Sequence, residues 1–172
     1  MKKTSGFTLL ELMIVVGIIG VVMAIAVPSL SETIKNERLT SATNGLLSDI
    51  MLARSKAVGR NQPVIICASS DGATCTNGSY EEGWIVTIDN DNNGTGDEII
   101  KIQSSAENNI TYDQGGAGLS IISFDSRGFL PTGANTGTIS VCDDRANPND
   151  FARTISLSVT GRVSRGADPA CP

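Results

Sequence analysis

Hydrophobic and polar positions divide this chain into three stretches of different period. From Phe7 to Val27 only Thr8 and Glu11 are polar. Those 21 residues, as a helix rising about 1.5 Å per residue, are long enough for the roughly 30 Å of bilayer hydrocarbon. After Pro28 the apolar residues thin to a stripe of Leu30, Ile34, Leu39, Ala42, Leu46, Ile50, Ala53 and Ala57. Steps of three to five mark one face of an α-helix, with Glu32, Lys35, Glu37, Asp49, Arg54 and Lys56 mostly elsewhere. The pattern predicts a helix of about 50 residues, Phe7 to about Val58, kinked or jointed at Pro28 and ended by Gly59 and Pro63. From Pro63 the period is two. Strands are predicted over Val64–Ala68, Trp84–Ile88, Ile99–Ile102, Asn109–Tyr112, Leu119–Phe124, Thr138–Cys142 and Thr154–Thr160. In the last, Ile155, Leu157 and Val159 should point inward and Ser156 and Ser158 outward. The fold class is therefore α+β, a long N-terminal helix packed on an antiparallel β-sheet or sandwich.

Lys2 and Lys3 precede the apolar run with no acid nearby, which keeps the amino end cytoplasmic. Gly6-Phe7 is a small-to-large junction before the apolar run, within reach of a protease at the membrane face. Glu11 is an ionisable group at membrane depth, costly there unless paired. Cleavage after Gly6 would create an amine on Phe7 that could neutralise Glu11 of a neighbouring subunit. The string Gly6-Phe7-Thr8-Leu9-Leu10-Glu11-Leu12 closely resembles the class III leader junction of type IV prepilins and type II secretion pseudopilins. That resemblance implies cleavage after Gly6 by a prepilin peptidase, N-methylation of Phe7 and an assembly role for Glu11. An ordinary signal peptide is the competing reading, with Lys2-Lys3 as its basic region and cutting at Ala24-Ile25-Ala26. The run is longer than a usual signal core and continues into the amphipathic stripe, which argues against it.

Val-Ile-Ile-Cys near the start of the strand region, Gly83-Trp84-Ile-Val followed by Asp89-x-Asp91, and Gly161-Arg162-Val163 resemble the H-type pseudopilins and FimT/FimU-type minor pilins of the GspH/FimT family. The resemblance implies a layout of leader 1–6, membrane and assembly half-helix 7–28, amphipathic half-helix 29–58 and β-rich domain 59–172. It implies other pilins or pseudopilins as partners. It also implies an inner-membrane location with the domain in the periplasm, and then a filament.

Charge and cysteines change the picture in two places. The formal charge is −5, and loss of Lys2 and Lys3 leaves 11 basic against 18 acidic residues. Any nucleic-acid site must then be local. The four cysteines, Cys67, Cys75, Cys142 and Cys171, lie beyond the apolar run, and an even number in an exported domain suggests disulfides. Of three pairings, Cys67–Cys75 and Cys142–Cys171 are preferred, one closing a short loop and the other stapling the C-terminus to a strand. No C-x-x-C pair and no histidine favours zinc.

The chemistry-bearing motifs are few. Asp89-x-Asp91-x-Asn93-Gly94 through Asp97 resembles the front of an EF-hand loop, but Ile100 stands where the bidentate glutamate belongs. A hairpin loop of turn formers is the preferred reading. Gly115-Gly116-Ala117-Gly118 lacks the context of a phosphate cradle. With no histidine, no nucleophile–base arrangement is visible, so neither an enzyme nor a cofactor is expected. The tail carries Arg153, Arg162 and Arg165. Gly161-Arg162-Val163-Ser164-Arg165 resembles the Gly-Arg-x-Arg motif by which FimT-type minor pilins bind duplex DNA, with the second arginine one place late. Both arginines are expected on an exposed, mobile turn.

Overall fold

The computed structural model describes residues 6–76, 78–91, 96–105, 109–114, 119–131, 136–145, 147, 151–166 and 171, with Pro28 described by its backbone alone. A long helix, α1 (Leu9–Arg60, 52 residues), runs through Pro28 without interruption. The chain divides into two compact units, 1–37 and 38–172. Helix α1 outlasts the expected stop at Gly59. Its end is set instead by Asn61, which takes the left-handed conformation at φ 54° and lets the Gln62 N–H bond the Ala57 carbonyl.

Among the described residues eight strands follow: β1 (Val64–Ala68), β2 (Gly83–Ile88), β3 (Glu98–Ser104), β4 (Ile110–Asp113), β5 (Ile121–Phe124), β6 (Gly137–Asp143), β7 (Arg153–Leu157) and β8 (Val163–Arg165). A 3-10 turn, Tyr80–Glu82, precedes β2. The strands form two antiparallel four-stranded sheets, ordered β3-β2-β1-β5 and β4-β6-β7-β8. Three expectations fail at the carboxy end. Strand β7 stops at Leu157, Val159 is 65% exposed rather than inward, and β8 is an additional strand. The cause is a tight turn over Ser158–Arg162, in which Ser158 donates its N–H to the Arg162 carbonyl and Gly161 adopts φ 69°. That turn reverses the chain and buries Val163 opposite Leu157.

The core of the second unit joins Leu39, Leu46, Ile50, Ala53 and Ala57 of α1 to inward residues of both sheets. The stripe read from sequence is buried only from Leu39 onward; Leu30 and Ile34 are exposed. Asp49, expected on the polar side, is 2% exposed. It is tolerated because both carboxylate oxygens are bonded: Trp84 Nε1 donates to one at 2.9 Å and Lys101 Nζ to the other at 2.6 Å. Trp84, Tyr80 and Tyr112 stack edge-to-face in a closed trio with centroids 6.0–6.3 Å apart. The Tyr80 hydroxyl donates to the Leu119 carbonyl. Burial first, and the Glu81 carboxylate second, push the Tyr112 phenol up to about 12.

Strands β1 and β2 are buried on both faces. The outward Ile65, Cys67 and Ile85 form a second small cluster with Cys75, joined to Cys67 by a disulfide (Cα–Cα 5.5 Å). The carboxylate of Asp71 shapes this strap. It accepts the Thr74 and Ala73 N–H groups and the Thr74 and Ser69 hydroxyls, which hold its carboxyl well below the usual range. A second disulfide, Cys142–Cys171 (Cα–Cα 6.1 Å), ties the tail to β6.

Candidate assembly site

The first helical turn is built by Thr8. Its hydroxyl accepts the Glu11 N–H at 3.2 Å, and its carbonyl accepts the Leu12 N–H. Thr8 is thus the N-cap and Glu11 the third helical residue, the T-x-x-E spacing of a capping box. The signal for this cap in the sequence is the Thr8-x-x-Glu11 spacing itself. Every described side chain from Phe7 to Val27 is exposed, Phe7 at 81% and Leu9 at 77%. By length and composition α1 is able to cross a membrane. An apolar surface of this length needs either lipid or other helices around it. Gly6 and Phe7 lie just before the cap; Lys2 and Lys3 lie outside the described residues.

The tail arginines do not form one cluster. Arg153 and Arg162 lie at opposite ends of β7: Arg153 pairs with Val141, whereas Arg162 immediately precedes Val163, the partner of Leu157. Arg153 donates to the Phe151 and Ala152 carbonyls, and Arg165 donates to Asn44 Oδ1 at 2.8 Å. Arg165 ends a strand rather than riding on a mobile turn, because Val163 is drawn into the core two residues earlier. Arg162 is exposed and lines an open groove with Met51, Arg54, Ser55, Val58, Gly59 and Val163.

In the β2–β3 connection the carboxylates of Asp89, Asp91 and Asp97 lie within 4.8 Å of one another. Asp97 accepts the Asn90 N–H, and Glu98 pairs with Arg60 at 2.9 Å. The connection is flanked by strands, as a hairpin is; its residues 92–95 and the glycine run 115–118 lie outside the described residues.

Comparison with known proteins adds two family matches. The family described as Type II transport protein GspH matches residues 42–161, and the prokaryotic N-terminal methylation motif matches residues 1–27. A fimbrial protein of Moraxella nonliquefaciens is 33% identical over 107 residues, 58% of this chain and 64% of that protein. A fimbrial protein of Pseudomonas aeruginosa is 36% identical over 69 residues, 40% of this chain and 44% of that one. The chain thus spans less than two thirds of these relatives. Among solved structures, the type IV minor pilin FimU of Pseudomonas aeruginosa aligns with a TM-score of 0.60 at 18% identity, covering 77% of this chain and 91% of FimU. The minor pseudopilin EpsH of the Vibrio cholerae type 2 secretion system aligns at 0.50 and 11% identity, covering 76% and 97%. At those identities the two structures speak for the fold.

Proposed function

This chain belongs to the family described as Type II transport protein GspH, and from that premise we propose that it is a minor pilin-like subunit that acts by assembly and not by catalysis. The observation that carries the reading is the methylation motif over residues 1–27 coinciding with a capped, wholly exposed apolar helix. In this reading residues 1–6 are a leader, 7–28 the membrane and assembly half-helix, 29–58 its amphipathic continuation and 59–172 a periplasmic domain. A prepilin peptidase cuts between Gly6 and Phe7, and Phe7 is N-methylated. The subunit waits in the inner membrane and enters a filament by packing Phe7–Val27 among other pilins. There Glu11 is neutralised by a neighbour's Phe7 amine, which removes the cost of a carboxylate in an apolar bundle. The filament is a type IV pilus or its tip complex, or the pseudopilus of a type II secretion system; the fimbrial relatives favour the first. Mass spectrometry of the membrane-extracted protein is expected to find a chain beginning at N-methylated Phe7. A chain beginning at Val27 would instead mark an ordinary signal peptide.

Binding of duplex DNA is a second reading, favoured by one observation: Arg162 is exposed beside a second arginine, Arg54. Arg165 and Arg153 already hold Asn44 and backbone carbonyls, so the site would be small and its binding weak and salt-sensitive. A low-salt electrophoretic shift that Arg162→Gln abolishes and Arg153→Gln leaves intact is the expected signature. Absence of any shift at low salt removes DNA from the account.

A further inference from the structure

The groove between the end of α1 and the β7–β8 turn has the makings of an interface. Its walls leave large apolar side chains in water: Met51 is 51% and Val58 53% exposed. Two loops meet beside the groove. Leu130 donates its N–H to the Val159 carbonyl, and Val159 (65%) and Phe129 (43%) are exposed on either side. Met, aromatic and Arg side chains are the types enriched in interface cores.

Its floor is fixed. Arg54 donates through Nε to the Gly128 carbonyl at 2.9 Å and through an Nη to the Thr160 carbonyl at 3.1 Å. Gly128 and Gly161 both take positive φ and bring their backbones together beneath it. A surface already ordered in the free chain loses little entropy on binding. Above this floor stands Arg162, whose side chain has no hydrogen bond or ion pair among the described residues. In a chain with 18 acidic and 13 basic residues, an exposed arginine with no acid beside it among the described residues suits an external carboxylate.

We infer that this groove is the docking surface for a neighbouring pilin-like subunit, which inserts a carboxylate against Arg162 and aliphatic side chains over Met51 and Val58. The inference rests on the assembly reading and names one of its contacts outside the apolar helix. Protein is favoured over nucleic acid by the lining. Phosphates are held by several polar donors, and here Arg162 and Ser55 stand among Met51, Val58 and Val163, while the second arginine, Arg54, is already bonded to the Gly128 and Thr160 carbonyls. Charge and apolar area together suit a protein partner with an arginine hot spot at the centre.

The test uses the full-length chain in cells that build the filament. Arg162→Glu and Met51→Asp should each lower recovery in sheared filaments about tenfold, the effect of losing an interface anchor. The amount of processed chain in the membrane should stay at the parental level. Glu11→Val provides the separate control on assembly through the apolar helix. If both groove variants assemble like the parent while Glu11→Val does not, the groove is not the contact and the assembly reading stands. If the parent itself is missing from filaments, both fall. Should either variant reduce the membrane level, a photo-crosslinking benzoylphenylalanine at Ser55 of the otherwise unaltered chain decides. Its adduct should lie on an Asp- or Glu-bearing peptide of a different subunit. An adduct to DNA, or none, overturns the proposal.

Discussion

Lys101→Met should lower the stability of the folded chain by roughly 3 kcal/mol, far more than an ordinary half-exposed lysine is worth. The lysine itself is 41% exposed, but the carboxylate it meets, Asp49, is 2% exposed. Removing the cation leaves the buried Asp49 carboxylate with the Trp84 N–H as its remaining side-chain donor among the described residues. The loss should fall near the lower end for a broken buried pair, because water reaches the space Lys101 vacates. Adding Asp49→Asn to Lys101→Met should recover part of it, since the amide oxygen still accepts from Trp84 and no charge remains. Asp49→Ala alone should be costly in another way, orphaning a buried indole N–H at about 1–3 kcal/mol. Trp84 is the protein's sole tryptophan, so its emission during thermal melting of the detergent-solubilised chain reads the site directly. A Lys101→Met loss under about 1 kcal/mol, within the range of surface pairs, would mean that the ion pair is not holding helix to sheet.

The same residues mark where sequence reading stopped. Helix α1, most of the strands and the α+β class follow from periodicity, because burial on one face leaves a period that side chains cannot disguise. Strand β7 follows that period over its second half: Ile155 and Leu157 face the core with half-buried Ser156 between them, whereas Thr154 is buried as well. Asp49 was placed on the wrong face because a carboxylate reads as solvated until its partners are known. Those partners, Trp84 and Lys101, lie 35 and 52 residues away. Strands β1 and β2 show no alternation because the strap closed by Cys75 covers their outer face, and no local pattern announces a strap. Thr8 was legible and overlooked. The tail misled most: an apparent strand through Thr160 with a loose turn after it is really a tight turn and a further strand. Val159 looked like the next inward residue only while the strand was assumed to continue. Resemblance to the Gly-Arg-x-Arg pattern gave Gly161 and Arg162 one common role, whereas the geometry gives them two. Arg162 faces outward; Gly161 is a packing residue.

That packing role makes Gly161→Ala the second large effect, about 3 kcal/mol or more of destabilisation. At φ 69° an added Cβ is strained by the left-handed backbone alone. It would also stand 2.1 Å from the carbonyl oxygen of Gly128, a backbone atom that cannot swing aside. The turn would have to lift off the Asp125–Leu130 loop, breaking the Arg54 bonds to Gly128 and Thr160 together. Gly166, which follows Arg165, provides the contrast. A Cβ there meets the hydroxyls of Ser156 and Thr154 at 2.6 Å and the Thr154 Cβ at 3.1 Å, side-chain atoms rather than backbone. Among the described residues the Thr154 hydroxyl makes no hydrogen bond that a small shift would forfeit. Gly166→Ala should therefore cost about 1 kcal/mol. Calorimetric melting of the two variants beside the parent checks the order. Equal shifts would show that the turn at Gly161 yields as easily as a hydroxyl rotates. A preserved order, with Arg162→Gln neutral in the same assay, separates the residue that shapes the turn from the residue the turn presents.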